Sequence, residues 1–512
     1  MKADLIIEGA TIVDGVSAEP YKGNVAVSGD TIVRIDEGPE SSDARRTIDA
    51  RGKILIPGVI DVHSHSDLLH LKSVPFTHKI TMGVTSEIVG NCGIGPFPSL
   101  PGFPVPALNI DVLGDDRQFA SLAQYRHALR ESYPSNNVGS LQPHAPLRRA
   151  VMKEDIRRGA TRQEIAQMVH LLEKSFGEGA AGFSTGLYYD PCLYASHDEL
   201  TALLKATAQS GKIFSVHHRR EGDGVLDSLG EVIDLAKKTK VQLQISHLKA
   251  IGQRNQQYVP RMLKMITRAA EDGVDIHFDQ YPYEWGATSL SSLLPPSVLA
   301  LPQAEWKALA ADKGRREDII WEIEHPDGYD SIISLCSFDR ITLLSYEADP
   351  SLESKTISEI ASMWNMNGYD AFFNLVSESA GGALMSDITQ SQTSLEMIMS
   401  HPLGMFCTDS IYSGKHLHPR SLSAVTDLFD RFYRRKRVLD LAGHVRRMCV
   451  LPSQTFHLEK RGMIKSGYKG DMVLLDFPED GSRRSSIEQV IINGEIAYDN
   501  GKVSENYTTC FL

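Results

Sequence analysis

The order of apolar and polar positions divides the chain into three parts. Short apolar runs separated by glycine turns fill residues 1–58 and 452–512, a pattern typical of β-strands. Strands are predicted in these parts at residues 5–7, 11–13, 25–27, 31–35, 53–56, 472–477, 487–492 and 496–498. Asn493-Gly494 indicates a hairpin turn. Two β-rich ends that enclose one long middle predict a small β-sandwich domain built jointly by both termini.

The middle, residues 59–451, alternates between strand-like runs and amphipathic helical patterns. Predicted strands lie at residues 59–62, 84–89, 182–184, 213–216, 241–245, 274–278 and 404–407. One helix is marked by a capping box, Thr161 with Glu164, followed by an apolar stripe at 165, 168, 169, 172 and 176. This alternation predicts an α/β fold, a TIM-like (β/α)8 barrel. Residues 295–367 break the alternation and are predicted to be an insertion.

Composition and charge exclude several classes of protein. Of 512 residues, 42% are hydrophobic, which excludes a disordered chain. Lys and Arg total 53 against 65 Asp and Glu, a net charge of −12, which argues against nucleic-acid binding. No apolar run is long enough to span a membrane, and the first 15 residues lack the apolar segment of a signal peptide. We therefore expect a soluble, cytoplasmic protein; homo-oligomer formation stays open.

The six cysteines are far apart and form no CxxC pair, so free thiols are expected, with room for one ligand or nucleophile. Cys92 directly follows the predicted strand 84–89. A cysteine is by default a small buried hydrophobe, but a strand end also suits a thiolate ligand. Asp409 follows the strand 404–407 and is either a helix cap or, beside a metal, a general base.

Four histidines also lie at strand ends. His63 and His65 follow the strand 59–62, and alternate side chains of a strand share a face, so both could reach one metal ion. Two incidental histidines explain this motif equally well. His217 and His247 follow two further strands. Because the carboxyl ends of barrel strands surround the active site, four such histidines together favour a zinc site.

These motifs resemble a known family. HSH after PGVIDV, then GVTSEIVGNCGIGPFP, EGAAGFSTGLYYDP, VHHRREGD, QISHLKAIG, DQYPY and a later His-Pro-Arg are similar to the N-acyl-D-amino-acid deacylase (D-aminoacylase) group of the amidohydrolase superfamily. The C-terminal RGMIKSGYKGDMVLLD and VIINGEIAYDNGKV fit the closing β-segment of that group.

The resemblance implies a metal centre. Cys92 stands where many relatives carry a carboxylated lysine, and it would bind a tightly held Zn2+ with His217 and His247. His217 is chosen over His218 because the family pattern is His-x-Arg-x-Glu. His63 and His65 would supply a second, weaker site.

It also implies a reaction, the hydrolysis of the amide bond of N-acyl-D-amino acids. A metal-activated water would attack the carbonyl, with Asp409 as general base and acid. Substrate-binding residues would be Lys249 and Arg420 on the α-carboxylate, assisted by Tyr281 or Tyr283.

Two departures from the family pattern concern substrate choice. Thr408-Asp409-Ser410 replaces the usual Ser-Asp-Gly, and Ser-Leu-Ser-Ala follows Arg420 in place of an aromatic residue and glycine.

Two alternatives remain: a cyclic amidohydrolase of the hydantoinase or dihydroorotase kind, and a non-catalytic scaffold. A bridging Cys92 argues against the first, and the complete set of ligand positions argues against the second.

Overall fold

The computed structural model describes residues 3–37, 44–72, 76–100, 117–132, 134–302, 304–379, 382–413, 416–478 and 480–512. Within them the strands are β1 (Ala3–Ile12), β2 (Tyr21–Ser28), β3 (Thr31–Asp36), β4 (Ala44–Asp49), β5 (Ile54–Pro57), β6 (Val59–Asp61), β7 (Val84–Val89), β8 (Asn137–Pro143), β9 (Gly182–Gly186), β10 (Ile213–His217), β11 (Gln242–Ile245), β12 (Ile276–Gln280), β13 (Thr288–Ser289), β14 (Ile341–Ser345), β15 (Leu384–Asp387), β16 (Gly404–Phe406), β17 (Met472–Asp476), β18 (Ser486–Ile492), β19 (Glu495–Asp499) and β20 (Lys502–Val503).

The α-helices of the described residues are α1 (His78–Thr81), α2 (Leu122–Ser132), α3 (His144–Met152), α4 (Arg162–Gly177), α5 (His197–Gln209), α6 (Val225–Thr239), α7 (Val259–Glu271), α8 (Pro296–Leu299), α9 (Glu305–Ala311), α10 (Lys313–Glu324), α11 (Ile332–Cys336), α12 (Ile357–Met363), α13 (Gly368–Ser379), α14 (Gln392–Ser400), α15 (Ala424–Asp427), α16 (Leu441–Val445) and α17 (Leu451–Thr455). Segments of 3₁₀ and π-helix lie among them, the longest described one at Leu428–Arg435. None of these helices is both long and apolar enough to cross a membrane.

The centre of the molecule is a parallel eight-stranded barrel. Its strands follow the order β16-β12-β11-β10-β9-β8-β7-β6. The barrel closes just beyond β6 and β16, where the Asp409 amide donates to the His63 carbonyl at 2.8 Å and the His65 amide donates to the Ser410 carbonyl at 3.2 Å. The predicted (β/α)8 barrel is confirmed. One of its strands, β8, was not predicted from the sequence.

The outer helices pack on the barrel as their apolar stripes predict. Helix α4 begins with the predicted capping box, in which the Thr161 side chain accepts from the Glu164 amide and the Glu164 side chain accepts from the Thr161 amide. Met168 and Leu172 on its stripe are fully buried. This burial of one helical face supplies most of the stability of such a helix.

Both ends of the chain join one nine-stranded sheet. Its order is β20-β19-β18-β17-β5-β1-β2-β3, with β4 paired to β1, and β5 pairs antiparallel with β17. The Ile32 amide in β3 donates to the carbonyl of Tyr468, just before β17, at 2.8 Å. The edge strand β3 therefore lies beside the segment that leads into β17, and the sheet curls on itself. Asn493 and Gly494 both have positive φ, which suits the predicted hairpin turn. The small β-domain made from both termini is confirmed, and all six cysteines are free as predicted.

A three-stranded antiparallel sheet, β13-β15-β14, lies in the chain between β12 and β16. Helices α8 to α13 accompany it and share a separate apolar core with it. This unit encloses the irregular segment seen in the sequence. The domain limits drawn from the sequence, 1–58, 59–451, 452–512 and the insertion 295–367, stay predictions.

Candidate active site

The five predicted metal ligands converge at the carboxyl ends of the barrel strands. His63 and His65 follow β6, Cys92 lies in the turn after β7, His217 ends β10, and His247 follows β11 by two residues. All five side chains are buried. Cys92 and His247 have positive φ, which turns their side chains away from the strand direction.

Cys92 lies at the centre of the histidines. Its Sγ is 3.3 Å from His63 Nε2, 3.6 Å from His247 Nε2 and 3.9 Å from His217 Nδ1. Burial raises the pKa of the Cys92 thiol, but the charge of His63 and hydrogen bonds from His217 and His247 outweigh burial and hold the pKa well below its usual value. A thiol in these surroundings is therefore a thiolate, the form that binds metals.

Asp409 faces the same group from the last barrel strand. Its Oδ1 is 3.3 Å from His65 Nε2 and 3.4 Å from His63 Nε2. Its Oδ2 accepts from Arg420 Nη1 at 2.9 Å. Burial raises the pKa of Asp409, but the charges of Arg420 and His63 lower it by more than burial raises it. The pKa is therefore well below its usual value, and the carboxyl stays ionised.

Three sets of donor atoms among the described residues are compact enough to hold an ion, with all donors of a set within 4.8 Å of one another. They are His63, Cys92 and His247; His63, His65 and Asp409; and His217, Glu221 and His247. Thiolate, imidazole and carboxylate donors suit zinc. The residues therefore fit a metal centre, in which His63 belongs to two neighbouring sets.

Two buried carboxylates contact the histidine ring nitrogens that lie away from Cys92. Neither carboxylate was selected as a site residue from the sequence. Glu221 lies 3.2 Å from His247 Nδ1 and 3.4 Å from His217 Nε2. Asp279 lies 3.2 Å from His63 Nδ1. Such carboxylates orient metal-binding histidines through the other ring nitrogen. Their signals were local, since Glu221 is four residues after His217 and Asp279 is the penultimate residue of β12.

Three of the four predicted carboxylate-binding residues lie beside this group. Lys249 Nζ is 2.9 Å from His247 Nδ1 and 2.8 Å from Glu221. The guanidinium of Arg420 lies 4.9 Å from the centre of the buried Tyr281 ring.

The structure does not bring Tyr283 to this place. Its hydroxyl donates to Asp427 at 2.7 Å instead. The reason is local, because β12 ends at Gln280 and a turn follows, in which the Tyr283 amide donates to the Tyr281 carbonyl.

A cavity of about 480 Å³ opens above the group. Its floor includes His65, Cys92, His247 and Asp409. A smaller chamber of about 50 Å³ shares His247 and Asp409 and reaches Lys249, Tyr281 and Asp387. The donor set thus lies at the bottom of a cleft that has room for a small organic substrate.

Sequence comparison accounts for this arrangement. The pattern of the amidohydrolase family matches residues 46–312. The chain belongs to the amidohydrolase family. Within this family the chain is 30% identical over 503 residues to the N-acyl-D-glutamate deacylase of Alcaligenes xylosoxydans xylosoxydans, covering 96% of this chain and 93% of the relative.

Solved structures agree. The N-acyl-D-glutamate deacylase of Bordetella bronchiseptica, complexed with zinc and a phosphonate inhibitor that mimics the tetrahedral intermediate, is 28% identical with a TM-score of 0.81 and covers 98% of this chain and 99% of that one. A D-aminoacylase crystal structure is 28% identical with a TM-score of 0.82, covering 99% of both chains. The resemblance to the N-acyl-D-amino-acid deacylase group is confirmed.

Proposed function

We propose that this amidohydrolase hydrolyses the amide bond of N-acyl-D-amino acids and releases a carboxylate and a free D-amino acid. The observation that carries the proposal is the convergence of the Cys92 thiolate, four histidines and Asp409 at the bottom of one cleft, with Cys92, His65, His247 and Asp409 lining the cavity. The full-length similarity to N-acyl-D-glutamate deacylase supports the class of substrate. The preference for the D-form is supported by this relationship alone.

Cys92, His217 and His247 would hold a tightly bound zinc ion, and His63 with His65 would supply a second, weaker site. His63 lies 3.3 Å from the Cys92 sulfur, so the residues that would hold the two ions are adjacent. When bound, the metal supplies Lewis acidity, which polarises the amide carbonyl and makes a water molecule more acidic.

Asp409 would carry the proton through the reaction. Its Oδ1 faces the metal-binding histidines, so this oxygen would take the proton of the attacking water. It would then deliver that proton to the amide nitrogen, because an amine leaves poorly unless it is protonated. Arg420 on Oδ2 fixes the orientation of the carboxylate during both transfers.

Arg420, Lys249 and Tyr281 would bind the α-carboxylate of the substrate. Lys249 and Tyr281 line the smaller chamber, and the Arg420 guanidinium lies 4.9 Å from the centre of the Tyr281 ring. A planar guanidinium suits a carboxylate, which it binds through two nitrogens. Lys249 is held in place by Glu221.

The test pairs zinc content with amine release. The panel holds N-acetyl-D- and N-acetyl-L-forms of Leu, Met, Phe, Glu and Asp, and a hydantoin. We expect about one zinc per chain and release from D-forms only. Ring opening of the hydantoin with no linear turnover would favour the cyclic amidohydrolase, and absence of both metal and turnover would favour the scaffold.

The role of Asp409 is tested by Asp409→Asn, which keeps the shape of the side chain and removes the base. We expect turnover to fall by about 10²–10⁴-fold, the usual contribution of a general acid–base. Zinc content should stay at one per chain, since the thiolate and its two histidines are unchanged. Asp272→Asn, in an exposed ion pair with Lys237, is the matched control. A loss below tenfold would contradict the role.

A further inference from the structure

The outer wall of the 480 Å³ cavity is apolar. It is formed mainly by the segment that follows β13 and includes the 3₁₀ turn Leu290–Leu293 and helix α8. The apolar side chains that line the wall are Leu193, Leu294, Leu299, Leu301 and Trp306. This wall and the metal-binding floor line the same cavity, so a group of a substrate held on the floor can contact the wall.

The two arginines that line this cavity are already paired. Arg157 Nη2 lies 3.1 Å from Asp190, and its Nη1 donates to the Ala300 carbonyl at 3.0 Å. Arg219 Nε lies 3.0 Å from Glu231, and its other nitrogens donate to main-chain carbonyls at 2.8 and 3.0 Å. Each guanidinium is therefore already held by a carboxylate and by at least one main-chain carbonyl.

Two further arginines that the sequence places near the cleft are paired as well. Arg220 lies 3.1 Å from Asp330, and Arg254 lies 2.6 Å from Asp223. Among the described residues that line the cavity, every arginine therefore has an acidic partner. Lys249 and Arg420 also face carboxylates, and the proposed function assigns both to the α-carboxylate.

On the basis of the proposed deacylase function, we propose that the cavity binds an uncharged, apolar D-side chain and that acidic N-acyl-D-amino acids are poor substrates. An apolar side chain gains free energy when the leucine wall removes it from water. A side-chain carboxylate would lose its hydration and find no free cation, which is costly. Similarity to an N-acyl-D-glutamate deacylase alone would predict the opposite preference.

The test measures kcat/KM for two series of substrates. In the first, the acyl group is acetyl and the D-residue is Ala, 2-aminobutyrate, norvaline, norleucine, Leu, Met, Phe, Glu or Asp. We expect a rise of about fourfold for each methylene that becomes buried. D-Leu should exceed D-Glu by at least about 100-fold. In the second series the residue is D-Leu and the acyl group is acetyl, butyryl or hexanoyl, and only a weak dependence on length is expected.

A cation placed in the wall should reverse the preference. Leu299→Lys adds an ammonium at a half-buried wall position, so kcat/KM should fall for D-Leu and rise for D-Glu by about tenfold or more. Val33→Lys, at an exposed position of β3 in the terminal sheet, is the matched control and should change neither value. The wild-type series tests the proposal even if Leu299→Lys does not fold.

The outcomes separate two failures. Faster cleavage of D-Glu or D-Asp than of D-Leu by the wild type would overturn the inference and leave the deacylase function intact. A length dependence confined to the acyl series would also overturn it. Zinc-loaded protein that cleaves no N-acyl-D-amino acid would overturn the proposed function, and the inference with it.

Discussion

Lys79→Met tests the buried ion pair that joins the first and last barrel strands. Lys79 is fully buried, and its Nζ lies 2.5 Å from Asp61, 2.8 Å from Thr408 Oγ1 and 3.5 Å from Glu87. Asp61 also accepts from the Thr408 amide at 2.9 Å and from the His63 amide at 3.3 Å. The pair therefore connects the segment that carries His63 to the residue before Asp409.

The substitution removes the cation and leaves two buried carboxylates without it. Burial lowers the pKa of Lys79, but Asp61, Tyr412 and Glu87 outweigh it and raise the pKa above its ordinary value, so the lysine is charged. Removal of one partner of a buried ion pair costs about 3–5 kcal/mol. A shift of Asp409 by about 1 Å would also lower kcat by about 10²-fold.

The assay is urea unfolding followed by tryptophan fluorescence, with kcat measured on the folded fraction. Lys237→Met is the matched control, since it removes the same group from an exposed pair with Asp272 at 2.9 Å. Such exposed pairs contribute about 0–1 kcal/mol. If Lys79→Met and Lys237→Met lowered the free energy of unfolding equally, the reasoning about the barrel closure would be refuted.

Two further predictions concern the metal and pH. Cys92→Ser should lower the zinc content from one per chain towards zero, because a serine hydroxyl is not ionised at neutral pH. The control Cys510→Ser, at an exposed thiol, should leave the zinc content unchanged. Full zinc loading of Cys92→Ser would refute the ligand role. Burial raises the pKa of Asp387 to about 6, so the fold favours the protonated form of this carboxyl. Its contribution to the free energy of unfolding, at most about 3 kcal/mol, is therefore lost as the pH rises from about 4 through 6. The free energy of unfolding of Asp387→Asn, taken relative to that of wild type, should therefore be higher at pH 8 than at pH 4.5. If this difference between variant and wild type were equal at the two pH values, Asp387 would not titrate in this way.

Most of the barrel was predictable because parallel strands buried on both faces are apolar runs. Strand β8 was missed because Asn137–Pro143 contains one valine and one leucine among polar residues, a glycine and a proline. Its polar side chains are buried with hydrogen bonds: Asn137 donates to the Thr85 carbonyl and Gln142 to the Phe97 carbonyl. Polar strands of this kind become visible only when their distant partners are known.

The sequence by itself determined seven of the eight barrel strands, the β-domain from both termini and the candidate ligands, because periodicity and strand-end positions are local properties. Only the tertiary structure decided which groups meet. It placed Asp279 and Glu221 behind the histidines, turned Tyr283 to Asp427 and paired Arg157 with Asp190. These contacts join residues that are mostly far apart in the chain, and the closure of the barrel, which no local pattern encodes, brings them within hydrogen-bonding distance.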